Sequence, residues 1–561
     1  MRSPQRARHL LGALSRGGVR DVVLAPGSRS AGLALALYAA DRAGAVRLHV
    51  RVDERSAGFL ALGLSVGSRR PAAVVTTSGT AVGNLLPAVM EAHHSGRRLV
   101  VVSADRPARL RGSGANQTTL QKDIFGVFAP CFDLPVDVSE VDLDAAVAAS
   151  CRQSGPTHLN LQLDEPLVDD ERTDGGADDG ADETWRGPAP PDRPEVDEAW
   201  SGRREPGSEV LAVGPRTVVV AGDDSGPAAR RLAERAGWPL LAEPTSGARV
   251  GDHAIRCYRL LSQTALGADV ERVVVLGHPT LSRPVTALLS RPDVEILAAP
   301  GPGGVVTDPG RVARHLGGVP TVAGPDSSPG GLEWLDRWRA ADAALATKLD
   351  ELVAGLPELD PLQVAREVAS AVTAGATLVV GSSNPVRDLD LMQSPYPPHE
   401  HRFVVGNRGL AGIDGTVSTA VGIALARPGA SRSLAVMGDV TFLHDAGGLV
   451  IGPDEPRPDL TIVVVNDDGG SIFATLEQGD DSHAEAFERV FATPHHVDLE
   501  ALCSASRTAH QRVSTIAELR EALGQPTTGI RVVEAPVDRS TRRATADAIR
   551  ALAVDDERVT A

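Results

Sequence analysis

The chain has 561 residues, enough for about three or four domains, and its 42% hydrophobic and 23% charged residues are the balance of an ordinary globular protein. Its 56 basic residues are 54 arginines and two lysines, Lys122 and Lys348, and no P-loop pattern G-x-x-x-x-G-K-[ST] surrounds either lysine. The sequence therefore excludes a P-loop NTPase, and the net charge of −17 argues against a nucleic-acid-binding surface.

The N-terminal third predicts an α/β domain, which we place at residues 1–180. Between residues 20 and 105, short apolar runs alternate with helical stretches rich in small residues: DVVLA precedes PGSRS, VRLHVRV precedes DERSAGFLALGL, and AAVVT precedes TSGTAVGNLLPAVMEA. This alternation is typical of parallel strands joined by helices.

An acidic stretch follows this domain. Between Asp164 and Glu183, ten acidic residues stand against one basic residue, Arg172, and a Pro/Gly-rich run comes next. Such a composition is typical of a solvated linker, which we place at residues 181–207.

Two further α/β domains are predicted, a smaller central one at residues 208–335 and a C-terminal one at 336–561. TVVVAGDD and RVVVLGHP mark central strands, and a Gly/Pro-rich stretch at 318–331 predicts a second linker. No G-x-G-x-x-G motif occurs in the central domain, so flavin or nicotinamide binding is not supported. The predicted fold class is α/β, with three doubly wound domains and mostly parallel sheets.

The cellular setting is predicted from the cysteines and the apolar runs. The four cysteines form no C-x-x-C pair, no apolar stretch approaches the ~18 residues of a membrane span, and HLLGAL near the N-terminus is too short for a signal sequence. We expect a protein of the reducing cytoplasm without an integral membrane segment.

Two acidic loops predict a metal site. Asp439 follows the apolar run SLAVMG, and Asn466 and Asp467 follow LTIVVV. Ligands of parallel sheets bind at the carboxyl ends of strands, and hard oxygen ligands beside the backbone carbonyl of Gly469 suit Mg²⁺ or Mn²⁺ bridging to a diphosphate. The alternative is that both segments are ordinary Asx/Gly turns.

Taken together, these segments resemble the thiamin-diphosphate signature, G-D-G followed after roughly thirty residues by N-N. Val440 stands in place of the second Gly, and Asp467 in place of the second Asn. The resemblance implies that the metal is held by Asp439, Asp467 and Gly469, with Asn466 as the alternative ligand, and that Gly438, Val440, Gly470 and Ile472 contact the cofactor.

Glu54 is the candidate carboxyl group for the aminopyrimidine ring of such a cofactor. It lies at the start of a predicted helix, after the apolar run VRLHVRV. From this segment alone, Glu54 can equally be a first-turn glutamate that the helix dipole favours.

A wider resemblance covers nearly the whole chain. In order, APGSRS, DERSAGFLALGL, TTSGTAVGNLLPA, SADRP, GANQT, GNRGLAGIDG and NDDGGSIF resemble the 2-succinyl-5-enolpyruvyl-6-hydroxy-3-cyclohexene-1-carboxylate synthases, thiamin-diphosphate enzymes of menaquinone biosynthesis. The resemblance implies a transferase that decarboxylates 2-oxoglutarate and adds the resulting succinyl-semialdehyde carbanion to isochorismate. It also implies that Glu54 hydrogen-bonds the pyrimidine ring and that Ile413 supports the bent cofactor.

The same resemblance implies a substrate site rich in arginine. Both substrates carry two carboxylates, which arginine binds bidentately. The implied substrate residues are Ser28, Arg29, Arg106, Asn116, Gln117, Ser383, Arg387 and Arg408, with Ile472, Phe473 and Leu476 as an apolar wall. Arg283 stands where relatives have a Lys-Arg pair, and it can equally be a surface residue at a helix start.

The positions of Glu54 and Asp439 bear on the predicted oligomeric state. Glu54 and Asp439 lie in different predicted domains, and in this superfamily the two half-sites come from different subunits, so the resemblance implies a homodimer or a dimer of dimers. The alternatives are another thiamin-diphosphate-dependent 2-oxo acid decarboxylase or synthase, and a catalytically silent cofactor-binding regulator. The adjacent histidines His495 and His496 are predicted to be surface or packing residues.

Overall fold

A computed structural model describes residues 1–168, 209–325 and 328–557. The predicted linker at 181–207 lies outside the described residues. The described residues form two compact units. The first unit contains the chain up to residue 168 together with 414–429 and 444–458, and the second unit contains the other described residues.

Residues 1–168 alternate strands with helices. The helices are α1 Ser3–Arg16, α2 Ala31–Arg42, α3 Glu54–Ser68, α4 Thr80–Gly83, α5 Leu86–His94 and α6 Glu140–Arg152. The strands are β1 Asp21–Leu24, β2 Arg47–Val50, β3 Ala72–Thr76, β4 Leu99–Asp105, β5 Cys131–Leu134 and β6 Thr157–Gln162.

Residues 209–325 continue the alternation with shorter elements. The strands are β7 Val210–Leu211, β8 Thr217–Ala221, β9 Leu240–Ala242, β10 Arg272–Leu276, β11 Glu295–Ala298, β12 Arg314–His315 and β13 Thr321–Val322. The helices are α7 Gly226–Ala236, α8 Tyr258–Leu261, α9 Ala265–Ala268 and α10 Arg283–Leu288.

Residues 328–557 open with a long helix and then alternate again. The helices are α11 Pro329–Ala354, α12 Pro361–Ala371, α13 Asn384–Met392, α14 Thr416–Ala426, α15 Asp439–His444, α16 Ala484–Phe487, α17 Leu499–Ala505, α18 Ile516–Gly524 and α19 Arg542–Glu557. The strands are β14 Thr377–Val380, β15 Phe403–Val405, β16 Ser433–Gly438, β17 Leu460–Asn466, β18 Ala509–Arg512 and β19 Ile530–Pro536.

Three parallel sheets of five or six strands organise these elements, and β7 and β13 form a further two-stranded sheet. Their strand orders are β2-β1-β3-β4-β6-β5 in the first sheet, β12-β11-β10-β8-β9 in the central sheet and β15-β14-β16-β17-β19-β18 in the third. The first and third sheets have the same order when each is counted from its own first strand. The predicted α/β class with mostly parallel sheets is confirmed.

Several central strands are buried along their whole length. All residues of β3, β8, β10 and β14 are buried. A strand buried on both faces reads as a continuous Val-rich run instead of an alternating one, which is why AAVVT, TVVVA and RVVVL were recognisable in the sequence.

In the first and third sheets the strand order reverses beside the first strand, and in open α/β sheets ligands bind where the loops after the two strands at such a reversal diverge. In the third sheet those loops follow β14 and β16 and carry Ser383 and Asp439. In the first sheet they follow β1 and β3 and carry Arg29 and Ser78. The topology therefore brings the predicted site residues of each unit to one sheet edge.

At the corresponding edge of the central sheet the two loops are in contact. The loops after β8 and β10 join in an antiparallel bridge between Asp223 and His278. A Cβ added to Gly222 would lie 1.9 Å from the backbone nitrogen of Pro279, so the two backbones are in contact. The loops after β8 and β10 are therefore held against each other at this edge.

Helices α3 and α14 pack closely within the first unit although they are far apart in sequence. A Cβ added to Gly63 would lie 2.3 Å from the carbonyl oxygen of Thr419, so glycine is needed for the two helix backbones to touch. Residues 414–429 therefore belong to the first compact unit.

One local prediction was wrong. Thr321 and Val322, placed in a second linker, form β13 and pair in parallel with β7.

The four cysteines are free thiols. In the part of the chain that the structure describes, no helix has the length and apolarity of a membrane span.

Candidate functional site

Asp439 and the loop after β17 meet at the carboxyl edge of the third sheet. Gly438 and Val465 are register partners in the paired strands β16 and β17, so the residues that follow them emerge side by side. Asp439 is 1% exposed; its Oδ1 accepts the N–H of Val440 at 2.8 Å, and its Oδ2 accepts the N–H of Gly469 at 2.9 Å. The structure therefore brings the two acidic loops together.

The two candidate ligands beside Asp439 have different surroundings. Asn466 donates to Glu534 Oε1 at 2.8 Å and accepts the N–H of Asp468 at 3.1 Å, so its amide is already used on both sides. Asp467 Oδ1, by contrast, is buried and has no hydrogen-bond partner among the described residues. Burial and the charge of Asp439 raise the pKa of Asp467 to about 7. A cation beside both carboxylates would relieve this repulsion.

His495 contacts Asp439, which the sequence did not indicate. Its Nε2 lies 2.9 Å from Asp439 Oδ2, and its Nδ1 accepts the N–H of Val497 at 3.0 Å. Because Nδ1 is an acceptor, the ring proton is on Nε2 and is donated to Asp439. No local motif links the histidine to an aspartate 56 positions earlier.

The available metal donors are therefore oxygens. The described chain contains no cluster of three or more His, Cys, Asp or Glu side chains arranged to hold a metal ion. Asp439, Asp467 and the Gly469 carbonyl offer two carboxylates and one peptide oxygen, a donor set that suits Mg²⁺ completed by other oxygens.

The predicted apolar wall lies beside this edge. Ile472 and Phe473 belong to the 3₁₀ turn Ser471–Thr475, Leu476 follows it, and all three are partly buried. Asn384 at the start of α13 donates to Ser471 Oγ at 2.7 Å. This hydrogen bond, which the sequence analysis missed, places the loop of Ser383 next to the turn.

Arg387 and Arg408 form a positively charged pair in the second unit. Arg408 is 3% exposed and donates to Thr280 Oγ1 at 3.0 Å and to Ser382 Oγ at 3.5 Å. Arg387 donates to the carbonyl of Ser383 at 2.7 Å. Burial and the charge of Arg408 lower the pKa of Arg387 to about 10. Within the described residues, both guanidiniums donate only to neutral oxygens.

Arg283 has a different environment. Its side chain is 73% exposed, and its guanidinium forms a bidentate ion pair with Glu477, at 2.6 and 3.1 Å. It therefore lies on the surface at the start of α10 and is already paired with Glu477.

Ile413 is partly buried in the loop before α14.

A second arginine pair lies at the edge of the first sheet. Arg106 is 6% exposed and donates to Ser78 Oγ at 2.6 Å and to the carbonyl of Gln117 at 2.9 Å. Arg29 donates to the carbonyl of Leu163 at 3.4 Å. Burial and the charge of Arg29 lower the pKa of Arg106. Here too the described guanidinium contacts are with neutral oxygens.

The remaining predicted polar residues lie in the same loops. Ser28 and Asn116 are exposed, and Gln117 donates from Nε2 to the carbonyl of Ser78 at 2.8 Å. The exposed side chains are accessible to a ligand, while Gln117 also supports the Ser78 loop.

Glu54 is the first residue of α3. Asp53 caps this helix by accepting the N–H of Ser56 at 2.9 Å, which leaves the Glu54 carboxylate uncommitted to capping. Glu54 Oε2 accepts one hydrogen bond from Asn84 Nδ2 at 3.3 Å and is partly buried. Its binding to a ring nitrogen stays a prediction, and it also lies where the helix dipole favours a carboxylate.

Comparisons with known proteins identify the family of the chain. Residues 5–126 match the thiamine pyrophosphate enzyme N-terminal TPP binding domain, and residues 390–534 match the C-terminal TPP binding domain. A Nocardioides protein named 2-succinyl-5-enolpyruvyl-6-hydroxy-3-cyclohexene-1-carboxylate synthase is 57% identical over 97% of this chain and 97% of its own length. Proteins of the same name from Paenarthrobacter aurescens and Kineococcus radiotolerans are each 47% identical, over 96% and 94% of this chain and 94% of their own lengths.

Proposed function

The chain belongs to the 2-succinyl-5-enolpyruvyl-6-hydroxy-3-cyclohexene-1-carboxylate synthase family of thiamin-diphosphate enzymes, and from this premise we propose that it adds the decarboxylated unit of 2-oxoglutarate to isochorismate, in menaquinone biosynthesis. One observation carries the choice of substrates. Four arginines at the sheet edges donate only to neutral oxygens within the described chain, and their guanidiniums suit pairing with substrate carboxylates.

The metal and the cofactor fit the residues at the third sheet. Asp439 accepts three hydrogen bonds, so about one of its four lone-pair positions is left, and Asp467 contributes a buried oxygen without a partner. We propose that these carboxylates and the Gly469 carbonyl hold Mg²⁺ or Mn²⁺. The residues proposed to contact the cofactor are Gly438, Val440, Gly470, Ile472 and Ile413.

Bound thiamin diphosphate supplies a nucleophilic ring carbon that no protein side chain offers. Glu54 holds a proton against the pyrimidine ring, and Asn84 fixes the orientation of the carboxylate through its hydrogen bond to Oε2. Glu54→Gln keeps the size of the side chain and loses the acid, so turnover should fall by about two to four orders of magnitude.

The arginines bind and orient the substrates. Arg387 and Arg408 in the second unit, and Arg29 and Arg106 in the first, each present a guanidinium for one carboxylate. Ile472, Phe473 and Leu476 exclude water, which strengthens these ion pairs. Arg283 would have to leave Glu477 before it could contact a substrate, so it is the weakest member of the proposed set.

We also propose that the active enzyme is at least a homodimer. Val52 is 79% exposed and lies two residues before Glu54; Leu120 and Val127 are 87% and 86% exposed and follow Gln117 in the chain. Burying these side chains against a second copy would remove water beside the proposed site residues. Light scattering combined with the activity assay tests this, and a fully active monomer would contradict it.

The experiment for the proposed function is product analysis. The purified chain is incubated with thiamin diphosphate, Mg²⁺, 2-oxoglutarate and isochorismate, and the product is identified by mass spectrometry. We expect the mass of the family's product, formed by Glu54→Gln at a rate about two to four orders of magnitude lower. Decarboxylation of 2-oxoglutarate that leaves isochorismate unchanged would indicate another 2-oxo acid decarboxylase. If the chain binds the cofactor but neither substrate reacts, it is a silent binding protein.

A further inference from the structure

Glu243 is a buried carboxylate outside the residues assigned so far. It directly follows β9 and is 2% exposed. Its Oε1 accepts the backbone N–H groups of Thr280 and Leu281, at 3.0 and 2.8 Å. Its Oε2 is buried and has no hydrogen-bond partner in the described part of the chain. A half-satisfied buried carboxylate costs stability, so its presence needs another reason.

Glu243 is linked to the proposed substrate arginines by a short chain of contacts. Thr280, whose N–H it accepts, in turn accepts from Arg408 Nη2 at 3.0 Å. The loop of Thr280 and Leu281 is thus held on one side by Glu243 and contacts Arg408 on the other.

The charges around Glu243 reinforce this link. Burial raises the pKa of Glu243 to about 8, and the positive charge of Arg408 opposes that rise. The charged and titratable groups that interact with its carboxylate from the surrounding loops and helices are Arg408, Arg387, Asp390, Asp223 and Tyr258. Glu243 therefore shares the electrostatic environment of the arginine pair.

We propose that Glu243 is a positioning residue for the carboxylate pocket of Arg387 and Arg408, which holds Arg408 through Thr280 while its own charge competes with a substrate carboxylate for the two guanidiniums. The inference rests on the proposed role of these arginines in substrate binding. It assigns two separable effects to one side chain, a hydrogen-bonding effect and a charge effect.

The two effects predict opposite results for two substitutions. Glu243→Gln keeps a carbonyl oxygen for the two N–H groups and removes the charge, so substrate binding should stay intact or become tighter. Glu243→Ala removes the acceptor as well, so the Thr280 loop loses its support and substrate binding should weaken.

The charge effect also predicts a pH dependence. Loss of the Glu243 proton adds a negative charge beside the guanidiniums, so affinity for a dicarboxylate should fall as the pH rises through about 8. Arg387, with a pKa of about 10, stays mostly charged as the pH rises through 8. The Glu243→Gln variant has no such proton to lose.

The test measures KM and kcat for both substrates between pH 6.5 and 9.5, and in parallel the dissociation constant of the unreactive dicarboxylate glutarate by calorimetry. In the wild type we expect KM and the glutarate constant to rise about three- to tenfold between pH 7 and 9, and in Glu243→Gln to change less than about twofold. Glu243→Ala should raise both about tenfold at pH 7, with a smaller change in kcat.

Glu271→Gln is the matched control. Glu271 directly precedes β10, whereas Glu243 follows the parallel strand β9, so the two carboxylates lie at opposite ends of the central sheet. This control should keep the wild-type pH profile.

Several outcomes would overturn the inference. Identical pH profiles for the wild type and Glu243→Gln would remove the charge effect, and unchanged constants in Glu243→Ala would remove the positioning effect. If Glu243→Ala does not fold, the Glu243→Gln profile decides alone. If the wild type binds glutarate but makes no product, the proposed function fails, and the glutarate constants still test Glu243.

Discussion

The imidazole of His495 donates from Nε2 to Oδ2 of Asp439 across 2.9 Å, and the same oxygen accepts the N–H of Gly469. Asp439 is therefore oriented by the side chain of His495, which follows the apolar turn in the chain, and by the backbone of Gly469, in the loop that carries Asp467. A carboxylate held in this way presents its remaining lone pair in one fixed direction, which is what a metal ligand requires.

His495→Ala should therefore weaken Mg²⁺ binding by about 10- to 100-fold, because hydrogen bonds to a metal-ligating carboxylate contribute that much affinity. The measurement is the Mg²⁺ concentration that half-saturates activity, together with direct calorimetric titration. His496→Ala is the control, since His496 is 80% exposed and contacts Asp468 instead. Equal Mg²⁺ affinities in the two variants would contradict the proposed role.

Asp467 and Asn466 can be distinguished by parallel alanine substitutions. Asp467→Ala should raise the Mg²⁺ requirement at least about tenfold, because it removes the buried oxygen that has no protein partner. Asn466→Ala should change Mg²⁺ affinity little and lower the melting temperature, because Glu534 loses the hydrogen bond at 2.8 Å. The reverse pattern would identify Asn466 as the ligand.

Arg106→Gln should lower kcat/KM by about 100-fold, since a charge-assisted hydrogen bond to a carboxylate contributes roughly 2–3 kcal/mol. Arg109→Gln is the matched control: Arg109 is 62% exposed and pairs with Asp164 on the surface. Steady-state kinetics with both substrates measures the difference. Comparable losses in the two variants would mean that Arg106 acts only through the fold.

His158 should make the first unit sensitive to acid. It is fully buried, its Nε2 lies 2.7 Å from Ser103 Oγ, and burial lowers its pKa to about 4. Between pH 6.5 and 4 the unfolded chain binds a proton that the folded chain does not, so stability is lost as the pH falls, by about 3 kcal/mol over that range. Calorimetric melting from pH 4.5 to 7 should show a steeper decline for wild type than for His158→Gln, and equal slopes would refute the assignment.

Much of the fold could be predicted because its signals are local. The buried strands are Val-rich runs followed at once by Gly, Ser or Asp, and the parallel arrangement follows from strands that alternate with helices. The meeting of Asp439 with the loop of Asp467 followed from the same reasoning. Residues after adjacent parallel strands must emerge at one edge.

The features that the sequence did not predict depend on contacts between distant segments. His495 reaches Asp439, Asn384 reaches Ser471, and Glu243 supports Thr280, each across at least 37 positions. No periodicity or motif encodes such pairs. The position of α14 against α3 was hidden for the same reason, because the glycines that allow the contact look like any other glycines in a helix.

The most direct test of the central claim is the stoichiometry of the reaction. CO₂ released from 2-oxoglutarate and isochorismate consumed are measured together, with and without thiamin diphosphate and Mg²⁺. We predict one CO₂ for each isochorismate, and neither change without the cofactor. Release of CO₂ at the same rate whether or not isochorismate is present, with isochorismate unconsumed, would contradict the account.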